Sequence, residues 1–76
     1  MQDQSNRNLR ELENEEGNLR CLLLEQNEDG RWLLREWEDG EELEQTWEQT
    51  WRSCLDGLRG LHERTEHLEN DGWELL

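Results

Sequence analysis

The sequence predicts an α+β fold: a short N-terminal helix, a β-hairpin over about residues 19–26 and 31–38, and a long C-terminal helix over about residues 40–70, with Gly57 and Gly60 as the places for a kink. Three observations predict it. Asn27-Glu28-Asp29-Gly30 is turn chemistry set between two apolar runs of similar length. Asp39 with Glu42 forms a D-x-x-E capping box. Beyond it Trp47, Trp51, Cys54, Leu58, Leu61, Thr65 and Leu68 step alternately by four and three, an a/d heptad seam. The alternative is an all-α bundle, because leucine is a good helix former and short apolar runs are ambiguous by period.

Ser5 to Glu16 reads as the first helix. Ser5 can cap it, Leu9 and Leu12 share a face, and Gly17 suits the position after its end. In the hairpin, Asn27 and Asp29 can hydrogen-bond nearby backbone, and Gly30 supplies the positive φ that closes such a turn. If Asn27 pairs with Arg31, then Gln26 faces Trp32, Leu24 faces Leu34 and Leu22 faces Glu36. The opposite face carries Cys21, Leu23, Leu33 and Trp37. Both faces are then largely apolar and both need cover, helices on one side and a second subunit on the other. In the last helix Gly57 and Gly60 each cost about 1 kcal/mol against alanine, yet the seam keeps its phase across them.

Composition sets the limits on function. Seventy-six residues make one small acidic domain, near the size at which a core is only just sufficient. Fifteen leucines and five tryptophans supply most of the apolar mass, and Ala, Val, Ile, Phe, Tyr, Pro and Lys are absent. Those seven types are roughly 40% of ordinary usage, so avoiding them by independent draws has a chance on the order of 10⁻¹⁷. An artificial or restricted-alphabet sequence is the reading this supports, with leucine standing in for Val and Ile. The net charge of −13 is spread along the chain, with 11 acids and 5 arginines in residues 1–40 and 10 acids and 3 arginines in residues 41–76. With no basic stripe, neither nucleic acid nor an anionic membrane is an expected partner. The N-terminal segment lacks the regions of a signal peptide, and the longest apolar run, Cys21 to Leu24, is too short to span a bilayer.

No pattern of catalytic, metal or nucleotide chemistry emerges. His62 and His67 are five apart, about 140° around a helix, whereas H-E-x-x-H needs a spacing of four. Gly57-Leu58-Arg59-Gly60 is no phosphate loop, and Asp56 beside it repels anions. Ser5, Ser53, Thr46, Thr50, Thr65, Cys21 and Cys54 have no histidine at a suggestive spacing within their elements. Glu36, between Leu34 and Trp37, is the one faint candidate for a carboxyl in an apolar pocket, with an edge position as its plainer reading. The cysteines read as small buried thiols. No cofactor and no small-molecule substrate is expected, and no enzyme.

Trp32-Leu33-Leu34-Arg35, Trp37 and Thr46-Trp47-Glu48 resemble the strand and Trp-Glu region of chromodomains, over residues 32–48. That family's methyl-lysine cage needs several aromatics. Only Trp37 has a counterpart here, Glu36 is an extra residue before it, and the following proline is missing. No function is carried over from the resemblance. The expected role is therefore a scaffold or protein-interaction module, with a protein as partner. The alternative is an acidic inhibitor that imitates DNA phosphates to occupy a nucleic-acid-binding protein. A helix from Glu41 to Asn70 would be about 45 Å long, more than so small a monomer covers. The sequence therefore predicts a homodimer with Trp47, Trp51, Leu58 and Leu61 near the contact.

Overall fold

Two turns of the same chemistry set the framework. In the computed structural model, which describes residues 7–44 and 50–76, strand β1 (Leu9–Glu13) turns through Asn14–Asn18 into β2 (Leu19–Gln26). Strand β2 turns through Asn27–Arg31 into β3 (Trp32–Glu38). Asn27 Oδ1 accepts from the amides of Asp29 and Arg31, both at 3.0 Å, and the Gly30 amide donates to the Asn27 carbonyl at 3.0 Å. Asn14 repeats the arrangement. Its Oδ1 accepts from Glu16 at 3.0 Å and Asn18 at 2.9 Å, and Gly17 donates to its carbonyl at 3.1 Å. Gly30 has φ +81°, a left-handed conformation that is costly for residues with a Cβ. The β2–β3 register is the one in which Gln26 faces Trp32, Leu24 faces Leu34 and Leu22 faces Glu36.

The layout around this hairpin differs from the expected one. Six antiparallel strands form one sheet in the order β4-β3-β2-β1-β6. β4 (Glu41–Glu42) and β5 (Thr50–Trp51) share the outer side of β3, and β6 (Glu74–Leu75) lies beside β1. Among the described residues a single helix, α1 (Cys54–Asn70), crosses one face. Among the described residues there is no N-terminal helix. Two leucines bury too little to hold one, whereas a strand pairs its backbone with β2 and puts Leu12 into the core at 0% exposure. The predicted start of the long helix is overturned as well. Asp39 and Gly40 take φ of 51° and 88° and close a β3–β4 hairpin instead. Asp39 Oδ1 accepts from the Leu19 amide at 2.9 Å rather than capping a helix. The helix begins fourteen residues later, where Ser53 Oγ accepts from the Asp56 amide at 3.1 Å. The all-α alternative falls with the same strands.

Helix and sheet meet over Leu12, Leu22, Leu24 and Leu34 below and Leu61 and Leu68 above, with Trp73 closing one end. Gly57 and Gly60 lie within one uninterrupted helix and allow it to approach Leu24 and Trp51 closely. A Cβ on Gly57 would lie 2.8 Å from Leu24 Cδ1, and one on Gly60 would lie 2.7 Å from Trp51 Cη2. No helix among the described residues is long and apolar enough to cross a membrane.

Candidate functional site

Strand alternation divides the sheet's side chains between two unlike faces. Beneath α1, Arg20, Leu22 and Leu24 of β2 align with Leu34, Glu36 and Glu38 of β3. Glu36 is only 7% exposed. Arg64 of α1 forks onto it, Nε to Oε1 at 2.9 Å and Nη2 to Oε2 at 3.0 Å. Arg20 bonds the same carboxylate and also Glu38, and its guanidinium lies 4.6 Å from the centroid of the Trp73 ring. Burial pushes the Glu36 carboxyl up, but the bonds and charges of Arg64 and Arg20 outweigh it and hold the group below the usual carboxylate range. That is the opposite of what a general acid at neutral pH requires. Glu36 ties the helix to the sheet.

The other face has no helix across it among the described residues. Leu9 and Glu11 of β1, Cys21 and Leu23 of β2, and Leu33 and Trp37 of β3 fall on it by alternation from the buried Leu12, Leu22 and Leu34. Leu9 lies opposite Leu23, and Cys21 lies between Glu11 and Trp37. The apolar members of this set are half-buried. Across them runs an ion triad. Arg35 bonds Glu25 Oε1 at 2.8 Å and Glu42 at 2.7 and 2.8 Å, with its guanidinium 5.0 Å from the Trp37 ring centroid. The Arg35 bonds hold Glu42 below the usual carboxylate range. Burial, with the Glu11 charge beside it, raises the Cys21 thiol, so the neutral thiol dominates at neutral pH. A shallow depression lined by Leu33, Arg35, Glu42, Leu43 and Glu44 continues this face toward β4.

Comparisons with family models, with curated proteins and with solved structures return no match.

The residues nominated from sequence are dispersed differently. Leu61 is at 0% exposure in the core, while Leu58 and Trp51 pack against that core. Trp47 lies outside the described residues, as do Thr46 and Glu48. The folded chain therefore encloses Leu61 and partly covers Trp51 and Leu58 on the helix side, away from the open face. Both cysteines are free: Cys21 sits on the open face and Cys54 opens α1. His62 and His67 stand on the exposed side of α1, each beside a single carboxylate, Glu66 at 3.3 Å and Asp71 at 3.9 Å. Among the described residues no three His, Cys, Asp or Glu side chains gather as a metal-ion group. The open face itself was visible in the sequence as Cys21, Leu23, Leu33 and Trp37. The contribution of Leu9 was hidden by the helical reading of residues 5–16.

Proposed function

We propose that this chain is a protein-interaction module, not an enzyme, that docks a partner on the face of its sheet opposite α1. One observation supports this most directly. Leu9, Leu23, Leu33 and Trp37 are only partly buried on one face, while the same strands bury Leu22, Leu24 and Leu34 beneath a helix on the other. The restricted alphabet accords with a scaffold in which leucine fills every aliphatic position on either face. Imitation of nucleic-acid phosphates is the second reading, and it draws on the net charge of −13 alone.

The test asks whether the open face serves folding or binding. Leu9→Thr, Leu23→Thr and Leu33→Thr together keep β-propensity and remove apolar area. A docking face is dispensable to the monomer, so the triple variant should keep its circular dichroism spectrum and melt within a few degrees of the parent. Loss of cooperative melting in the variant would show that the face is part of the chain's own core and end the docking reading.

A further inference from the structure

We infer that the partner this face accepts is a basic amphipathic helix, with an apolar stripe bordered by arginine or lysine. The inference rests on the docking reading and adds the chemistry of the occupant. It follows from how charge is arranged around the apolar centre. Glu11 and Glu13 point to this face from β1, and no ion pair engages either of them among the described residues. Glu42 of β4 borders it on the other side, and Glu25 of β2 lies opposite Leu33 toward the hairpin end. Against these four carboxylates the face holds two cations among the described residues: Arg35, already shared between Glu25 and Glu42, and Arg31 at the hairpin end, whose Nε donates to Thr50 Oγ1 at 2.7 Å.

Charge then sorts the occupants. A second copy would set this carboxylate border against its own image and bring two chains of −13 together. Nucleic acid and anionic lipid are repelled by the same border. A cationic border on the partner meets Glu11 and Glu13 directly, and its apolar stripe covers Leu9, Leu23 and Trp37. The helical form is argued from the sheet's other side. There α1 lays a narrow stripe of Gly57, Leu61, Thr65 and Leu68 over the same strands, and a sheet that is apolar on both faces is ordinarily covered on both. The partner supplies the second helix in trans.

Arg35 gives the inference a signature. It occupies a site made of two carboxylates and an indole face, the surroundings a partner's guanidinium would seek. In the free protein it competes with the partner. Its removal should therefore strengthen binding, whereas a merely structural role would make removal neutral or harmful.

The experiment titrates the full chain with three synthetic peptides and follows leucine methyl and tryptophan indole NMR signals. The first is a helical peptide with a leucine stripe bordered by arginines. The second replaces its arginines by glutamate, and the third keeps the arginines but replaces the leucines by serine. Only the first should bind saturably, shifting Leu9, Leu23, Leu33 and Trp37 and leaving Leu61 unmoved. Leu23→Asp should weaken it by about tenfold or more, as loss of a central apolar contact does. Glu11→Gln with Glu13→Gln should weaken it, and Arg35→Gln should tighten it, each by roughly twofold to fivefold, the range of exposed charge pairs. Equal binding of the serine peptide, or shifts confined to the exposed side of α1, would overturn the inference by showing charge attraction alone. Binding of the glutamate peptide, or self-association with no peptide binding, would overturn it by showing another occupant. If the threonine triple variant folds and no arginine peptide binds the parent, the cationic partner is rejected while the docking reading stands.

Discussion

Glu36 meets Arg64 from the helix and Arg20 from the neighbouring strand, so one carboxylate joins two guanidiniums. Removing its charge takes the forked partner from Arg64 and one of two carboxylates from Arg20 in a part-buried setting, so the loss exceeds that of a surface pair. Glu36→Gln should cost about 2–4 kcal/mol at neutral pH, below the usual upper figure because Arg64 keeps some contact with water. The pH dependence has a definite sign. The folded carboxyl titrates below its unfolded value near 4.3, so its contribution is complete above that value and disappears as pH falls through the folded one. Protonation of exposed acids acts in the other direction, relieving repulsion as the chain approaches its isoelectric point near 4.3. Urea denaturation of parent and variant down to about pH 2 separates the two effects. The stability gap between them should be widest at neutral pH and close in acid. A gap of constant size would mean that the carboxyl is not charged in the fold.

At the scale of elements, close approach explains what propensity alone misreads. Gly57 and Gly60 look like interruptions of a helical seam, yet they are where α1 meets Leu24 and Trp51. Gly60→Ala adds helix propensity worth about 1 kcal/mol but sets a methyl against the Trp51 ring, and the net result should be a loss of about 1–3 kcal/mol. Arg59→Ala, on the exposed side, should stay within about 0.5 kcal/mol. Chemical denaturation of both decides the matter, and a stabilised Gly60→Ala would return the glycines to the role of helix defects. The β2–β3 hairpin was legible because Asn27, Asp29 and Gly30 form a turn whose side-chain bonds are local. The turn at Asn14-Glu15-Glu16-Gly17 carries the same pattern thirteen residues earlier and was equally legible. A helical reading competes with it because Leu9 and Leu12, three apart, also satisfy a helical period, and five residues cannot distinguish the two. The helix start failed for a related reason. Asp39-x-x-Glu42 and Ser53-x-x-Asp56 are both N-cap patterns, and only the pairing of β4 with β3 decides between them. The candidate site was half legible: its β2 and β3 residues followed from one turn, while its β1 border required a strand that local pattern concealed.

For the whole molecule the question is how a chain with 21 acids and 8 arginines stays folded. The described arginine pairs engage three arginines and four glutamates, a group with a net charge of −1. The remaining twelve units of negative charge repel one another across a body with extents of 38 × 36 × 21 Å. At 0.02 M salt the screening length is about 20 Å, comparable to the molecule, so most of those charges interact; at 0.5 M it is about 4 Å, and only neighbours do. The tight pairs beneath α1 are shielded from this change by burial, so screening weakens the repulsion more than it weakens the attraction. The melting temperature at neutral pH should therefore rise steadily from 0.02 M to 0.5 M sodium chloride, and scanning calorimetry across that series reads it directly. A flat response would require the exposed arginine pairs, such as Arg35 with Glu25 and Glu42, to carry as much stabilisation as all the repulsion removes. A falling response would require more than that. The Arg35→Gln variant separates these cases, since it deletes the exposed pairs and raises the net negative charge, and its melting temperature should climb more steeply with salt than the parent's.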